Sequence, residues 1–109
     1  MAAMLKLILV AGALALGAPS FGEVFGDVRV GEEYVKDAAV ELKCGDEVVK
    51  GKTDASGSYR LTAKGTGKCA ISVAHDGQTP SVDVVVFEKA SRYRLVLEKK
   101  GETWTLKRV

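Results

Sequence analysis

This chain of 109 residues has few of the residue types that carry most enzyme chemistry. It contains one histidine, His75, and two cysteines, Cys44 and Cys69. One histidine cannot supply a multi-histidine zinc site, and no nucleophile-elbow motif accompanies it to complete a serine triad. Neighbouring acidic residues such as Glu32-Glu33 point to opposite faces of a strand, so they form no catalytic pair by themselves. We therefore expect a protein that is not an enzyme, with no catalytic residues, no metal site and no cofactor.

Blocks of like charge are absent as well. The sequence has 16 Lys and Arg against 14 Asp and Glu residues, which gives a formal net charge of +2, and the two signs alternate along the chain. No basic block is available to neutralise phosphates, and the few aromatic residues are spread singly rather than in a stacking ladder. Residues 65–68 lack the spacing of a phosphate-binding loop. We therefore expect no nucleic-acid partner.

The sequence also lacks an apolar run long enough to cross a membrane. Leu7–Leu16 is an uncharged apolar run of ten residues, preceded by Lys6 and followed by Pro19 and small residues. A spanning helix needs about 20 apolar residues, whereas the order basic, apolar, small is typical of a secretory signal peptide. We predict a cleaved signal-peptide helix over residues 1–22, with a retained anchor as the alternative.

This leader places the mature protein in a secreted or periplasmic location, without a stable membrane span after cleavage. Small residues allow the cut after Ser20, after Gly17 or after Gly22. The remaining segment, residues 23–109, has a length typical of one domain.

What the sequence does have is period-two alternation of apolar and polar residues, broken by glycine-rich turns. Clean alternation occurs at Ala39–Cys44, Tyr59–Ala63, Cys69–Val73, Arg92–Leu97 and Thr103–Lys107. Such alternation predicts strands with one buried face. Glu23–Val30 is less regular, and Val82–Phe87 is apolar on both faces in its second half, which indicates a central strand. We predict an all-β fold, a single antiparallel β-sandwich of about seven strands of transthyretin-like or immunoglobulin-like type.

The two cysteines occupy matching positions, since Cys44 ends one inward-facing register and Cys69 begins another. If the two strands are antiparallel neighbours, a disulfide can join them and close a loop of about 25 residues, worth roughly 3–4 kcal/mol. Two buried thiols or a redox pair are the alternatives, although the spacing is far from that of a CxxC motif. We predict the structural disulfide because the leader indicates export to an oxidising compartment.

A turn motif leads into the alternating stretch Tyr59–Ala63, at Thr53, Asp54, Gly57 and Tyr59. The Asp54 carboxylate can accept backbone N–H groups two or more residues further on, and Gly57 can adopt positive φ. Tyr59 then returns to the core with a hydroxyl that needs a partner. We expect a structural turn; a metal or sugar ligand at Asp54 is the alternative.

Four other residues are candidates for function, and each has a plain structural alternative. His75 lies in a turn, where a solvated side chain is expected. Trp104 would offer a stacking platform for a sugar if it were exposed, but its alternation with Leu106 favours burial in the core. Arg92 and Arg94 point outward from one strand and could receive an acidic partner, or they could simply line a solvated face.

Three blocks of the sequence, taken together, carry a family resemblance. They are Gly26-Asp-Val28, Ala39-Val-Glu-Leu42, and the block from Thr53 to Leu61 that contains the turn motif. In this order and spacing they resemble the carboxypeptidase regulatory-like domain of the transthyretin-like, or prealbumin-like, group of β-sandwiches. The resemblance extends over about residues 23–97, whereas the tail with Trp104 is less characteristic.

The resemblance implies a non-catalytic companion domain that helps folding, association or binding. We therefore expect a secreted or periplasmic accessory module that engages an unidentified protein or carbohydrate partner. The alternative is a purely structural envelope or secreted protein without a dedicated ligand. The sequence predicts neither the ligand-binding residues nor the oligomeric state.

Overall fold

The structure, a computed structural model, describes residues 22–109, which form nine strands in two packed sheets and no helix. The predicted signal peptide lies outside the described residues, except for Gly22. Within the described part of the chain, no helix is long and apolar enough to cross a membrane. The prediction of an all-β, sandwich-like fold is confirmed.

The first sheet has five strands. They are β1 (Gly22–Val30), β2 (Glu33–Tyr34), β5 (Ser58–Ala63), β8 (Ser91–Lys100) and β9 (Thr103–Arg108). Strand β1 lies at its centre, with β8 on one side and both β5 and β2 on the other, and β9 continues the sheet beyond β8. Strand β5 pairs with the beginning of β1, and the short β2 pairs with its end.

The second sheet has four strands in the order β4-β3-β6-β7. They are β3 (Ala39–Cys44), β4 (Glu47–Lys52), β6 (Gly67–Val73) and β7 (Ser81–Val86). All its pairs are antiparallel. The hairpins β3–β4 and β8–β9 close through the two-residue loops Gly45-Asp46 and Gly101-Glu102, as their glycines predict.

The core lies between the two sheets and consists of the inward-facing members of the alternating segments. Its fully buried side chains include Val24, Val28, Val40, Leu42, Ile71, Val73, Val84, Val86, Leu95 and Leu97. The inward positions predicted for β3, β5 and β6 are confirmed, apart from Cys44, which is half-buried at the end of its strand. Tyr93 and Trp104, predicted to be buried, are also only partly buried.

Three details of the predicted fold are wrong. The sandwich is not purely antiparallel, because β1 and β8 pair in parallel over seven residues. It has nine strands rather than about seven, since the short β2 and β4, the second strand of the β3–β4 hairpin, add to the seven segments predicted from the sequence. Strand β7 is an edge strand, not a central one, and its apolar Val85 and the following Phe87 are exposed. Alternation reveals which face a side chain takes, but not the direction or the number of neighbouring strands.

The predicted disulfide between Cys44 and Cys69 is present. It joins neighbouring antiparallel strands β3 and β6, with the two Cα atoms 4.5 Å apart and 25 residues between them in sequence. The register that pairs Lys43 with Ala70 brings the two cysteines directly opposite each other. The bond therefore fastens the centre of the second sheet.

Two side chains close the seam where the edge strands β7 and β9 approach each other. The Tyr93 hydroxyl donates to the Val85 carbonyl (2.7 Å) and accepts from the Val85 N–H (3.1 Å). The Gln78 amide likewise donates to the Glu102 carbonyl (2.8 Å) and accepts from the Trp104 N–H (2.9 Å). Each side chain thus satisfies one donor and one acceptor of an edge strand, in place of a neighbouring strand.

Candidate functional site

The solvent-facing surface of the first sheet, here named the arginine face, carries most of the arginines. Its residues are Glu23, Phe25, Asp27, Arg29, Ser58, Arg60, Thr62, Arg92, Arg94, Glu98, Thr105 and Lys107. They alternate along their strands with the core residues, so the same period that builds the core brings them together outside.

A half-open cleft of about 530 Å³ lies on the β5 side of the arginine face, and we name it the Phe25 cleft. It is lined by Phe25, Gly26, Asp27, Lys52, Asp54, Ser58, Tyr59, Arg60 and Arg92. Its volume falls within the range of small-ligand sites, about 300–1,000 Å³. Strands β1, β5 and β8, the last residue of β4 and the β4–β5 turn all contribute to it.

Phe25 lies between two arginines because of strand pairing. On one side it is opposite Arg60 in the antiparallel register with β5, and on the other it is opposite Arg92 in the parallel register with β8. The Arg60 guanidinium carbon lies 5.2 Å from the centroid of the Phe25 ring, within the range of a cation–π contact. An apolar ring flanked by two planar cations therefore forms the centre of the cleft.

The cations of the arginine face differ in how they are compensated. Three of them form ion pairs: Arg60 with Glu23 (2.5 Å), Arg94 with Asp27 (3.7 Å) and Lys107 with Glu98 (3.2 Å). Within residues 22–109, Arg92 and Arg29 have no carboxylate partner. The Arg29 Nε atom is buried without a hydrogen bond, whereas Arg92 is exposed at the cleft. Arg92 is thus the uncompensated cation that solvent and a ligand can reach.

The Asp54 side chain caps the turn at the margin of the cleft. Its Oδ1 atom accepts hydrogen bonds from the backbone N–H groups of Ser56 (2.8 Å) and Ser58 (3.0 Å). Both hydrogen bonds hold the pKa of this carboxyl below its ordinary value, the bond from Ser58 having the larger effect. The Oδ2 atom takes part in neither bond, so the ionised carboxylate keeps one oxygen for another donor.

Thr53 and Gly57 fasten the same turn to its surroundings. The buried Thr53 hydroxyl accepts the Ala38 N–H at 2.8 Å, which ties the turn to the start of β3. Gly57 has φ of +78°, and a Cβ atom there would lie 2.8 Å from the Tyr34 Cβ and 3.1 Å from the Val28 carbonyl oxygen. The turn therefore requires glycine for both its backbone conformation and its space.

Tyr59 forms the floor of the cleft together with Gly26. Its hydroxyl donates to the Tyr93 carbonyl at 2.9 Å, and burial, with the charge of Asp27 as a smaller cause, raises the pKa of this phenol. Since Tyr59 is paired with Gly26 on β1, and Gly26 with Tyr93 on β8, the hydroxyl reaches across a strand that has no side chain at this point. A Cβ on Gly26 would lie 1.9 Å from the Tyr93 carbonyl oxygen.

His75 and Trp104 lie together at the seam, away from the Phe25 cleft. Their rings meet edge to face with centroids 4.5 Å apart, and the Trp104 Nε1–H donates to Asp76 Oδ2 at 3.1 Å. His75 is in the predicted turn, but it is half-buried against Trp104 rather than fully solvated. The turn that contains His75 therefore packs against β9. The sequence around His75 and Trp104 did not predict this contact.

The site combines predicted and unexpected residues. Arg92 and Asp54, singled out from sequence, both line the cleft, and Arg94 pairs with Asp27 beside it. Phe25 and Arg60 were missed as site residues. Alternation with Val24 and Leu61 was a signal that they face outward, but only the pairing of β1 with both β5 and β8 brings them together.

The cleft brings together charged, aromatic and acidic side chains. It offers an exposed guanidinium, an aromatic ring and two carboxylates, which together suit a polar ligand with an anionic group. No group of three or more metal-ligating side chains occurs within residues 22–109. The chain matches no protein-family model and no curated protein.

Proposed function

We propose that this protein is a non-catalytic binding module that acts outside the cytosol, secreted or periplasmic, and holds a protein or glycan partner in the Phe25 cleft. The observation that carries the proposal is Arg92, which is exposed beside Phe25 and has no ion pair within the described chain. Planar cations and aromatic rings are the side chains that most often dominate binding energy at recognition surfaces.

The disulfide and the start of β1 support an exported protein. A structural disulfide persists in oxidising compartments, so the Cys44–Cys69 bond is compatible with this location. Strand β1 begins at Gly22, which is buried and pairs with Ala63. A cut after Ser20 or Gly17 keeps this strand whole, and we favour either over a cut after Gly22.

The three sequence blocks support assignment to the carboxypeptidase regulatory-like, transthyretin-like group. They fall on β1, on β3 and on the turn that leads into β5. Their glycines have physical reasons, since Gly26 lets β8 approach and lets Tyr59 cross β1, and Gly57 shapes the turn. The glycines of the first and third blocks thus correspond to contacts between strands of the first sheet.

A binding screen of the exported protein against immobilised glycans and envelope proteins tests the function. The screen compares wild type with Arg92→Gln and with Lys50→Gln, which removes one exposed cation from the other sheet. We expect at least one ligand that wild type and Lys50→Gln bind and Arg92→Gln loses. If no ligand depends on Arg92, the proposed binding function is wrong, and a purely structural protein without a dedicated ligand is favoured.

Two further measurements test the absence of catalysis and the export. Binding should survive His75→Ala, because this residue would have no proton-transfer role. Hydrolytic turnover that His75→Ala abolishes would contradict the proposal. The intact mass of the native protein should lack the leader, and a mass that still includes Met1–Leu16 would contradict export.

A further inference from the structure

We propose that the ligand of the Phe25 cleft is an acidic saccharide, a sugar chain that bears carboxylate groups, with one carboxylate bound to Arg92. This inference rests on the binding function proposed above and names its ligand class. It follows from three kinds of group that line the cleft: a guanidinium, an aromatic ring and carboxylates.

The first group is the Arg92 guanidinium. Its planar fork of N–H donors matches a carboxylate in two parallel hydrogen bonds, which a lysine ammonium cannot reproduce. Arg60 and Lys52 also line the cleft, but Arg60 is held by Glu23 at 2.5 Å and Lys52 lies 3.8 Å from Asp37. Among the described residues that line the cleft, Arg92 is therefore the one cation without an ion pair, and it can bind one acidic group of a ligand.

The second group is the Phe25 ring, and the third is the pair of carboxylates at the margin. A sugar ring has an apolar C–H face that packs on an aromatic ring, together with hydroxyl groups that donate to carboxylates. Asp54 keeps its Oδ2 atom for such a donor, since both turn-capping hydrogen bonds fall on Oδ1. The Ser58 hydroxyl lies at the same margin and both donates and accepts.

The carboxylates also favour a sugar over an acidic peptide. An acidic peptide brings several carboxylates but few hydroxyl donors, so its other acidic side chains would meet Asp54 with like charge. A sugar acid brings several hydroxyls for each carboxylate, and these satisfy the acceptors that the cleft provides. The cleft and the sugar acid are then complementary in both charge and hydrogen-bonding groups.

Calorimetric titration of the exported protein with oligosaccharides of alginate and of polygalacturonate tests the ligand class. The matched probe is methyl-esterified polygalacturonate, which keeps the sugar and removes the charge, and sulfated dextran serves as a general polyanion. The variants are Arg92→Gln, Arg92→Lys and Lys107→Gln. Lys107 lies on the same face but outside the cleft.

We expect at least one acid oligosaccharide to bind and to lose about tenfold or more in affinity with Arg92→Gln, the usual effect of removing a charge-assisted pair. Arg92→Lys should recover only part of this loss. Lys107→Gln should change affinity by less than about twofold, because exposed ion pairs contribute little. The methyl ester should bind more weakly than the acid and should be insensitive to Arg92→Gln.

Five results would overturn the inference. Equal binding of acid and ester would remove the carboxylate from recognition, and equal losses from Arg92→Gln and Lys107→Gln, or tighter binding of sulfated dextran, would show unspecific attraction. Absence of binding to every acid oligosaccharide, with an Arg92-dependent ligand found in the wider screen, would reject the ligand class but leave the binding function. Absence of any Arg92-dependent ligand would reject both.

Discussion

The two sheets present different surfaces to solvent, although both surfaces carry more cations than carboxylates. The outward residues of the second sheet, here named the lysine face, are Ala39, Glu41, Lys43, Val48, Lys50, Lys52, Lys68, Ala70, Ser72, Ser81, Asp83 and Val85. Among the described residues, this face has no arginine and no aromatic ring. The arginine face has four arginines and Phe25, and the Phe25 cleft lies on it.

This difference shows that an excess of positive charge does not by itself mark a site. Lysine ammonium groups are strongly hydrated and flexible, so a lysine-rich strand face keeps a sheet soluble and discourages further strand pairing. Arginine beside an aromatic ring is more weakly hydrated and geometrically defined, and it suits recognition. The proposed binding function therefore falls mainly on the first sheet, and the second sheet contributes only Lys52 of β4 to the lining of the cleft.

The largest expected effect tests the structural role of the second sheet. Replacing both cysteines, Cys44→Ala with Cys69→Ala, should lower the free energy of unfolding by about 2–5 kcal/mol, because the cross-link no longer restricts the unfolded chain. Urea denaturation measures this loss. Under conditions where the variant is folded, its ligand affinity should equal that of wild type. A selective loss of affinity would break the division between the sheets.

The next effect compares one inward-facing glycine in each sheet. Gly26→Ala in the first sheet should cost about 2–4 kcal/mol, since the added Cβ meets the rigid backbone of β8 at 1.9 Å. Gly51→Ala in the second sheet is the matched control, because its Cβ meets only the end of the Leu61 side chain, at 2.8 Å. We expect a cost below about 1 kcal/mol there. Equal losses of unfolding free energy would contradict the close approach at Gly26.

A smaller effect concerns the turn that borders the cleft. Gly57→Val should lower the free energy of unfolding by about 1–3 kcal/mol, because a β-branched residue is strained at φ of +78° and is crowded by Tyr34. Asp54→Asn should be milder, since asparagine keeps the oxygen that accepts the two backbone N–H groups. Chemical denaturation of the two variants should give this order, and wild-type stability of Gly57→Val would disprove the turn's need for glycine.

The smallest effect is a pH dependence that comes from Asp54. Its pKa in the folded protein lies below the ordinary value of 3.8, so the ionised form stabilises the fold at neutral pH. This contribution is fully present above the unfolded-state pKa and is lost as pH falls through the folded-state pKa. The stability difference between wild type and Asp54→Asn should therefore stay constant above about pH 5 and shrink below pH 4. A difference that grows in acid would give the opposite sign and contradict the capping role.

Much of the fold was predictable from sequence because a strand with one buried face must alternate. Val40, Leu42, Leu61 and Ile71 were identified as core residues in this way, and the disulfide followed from two matching inward registers. The burial of Trp104 was harder to predict. Its alternation with Leu106 indicated burial, but Trp104 lies on the edge strand β9 and is only partly buried.

The sequence by itself determined the all-β class, the inward and outward faces of the strands, the Cys44–Cys69 pair and the capped turn at Asp54. These features depend on neighbours along the chain or on the period of two. The tertiary structure alone decided that β1 runs parallel to β8 and antiparallel to β5, which places Phe25 between Arg60 and Arg92. Those three residues are far apart in sequence, and alternation specifies the face of a side chain but not the strand beside it. The cleft is therefore a property of strand order, which is set by the packing of the whole core.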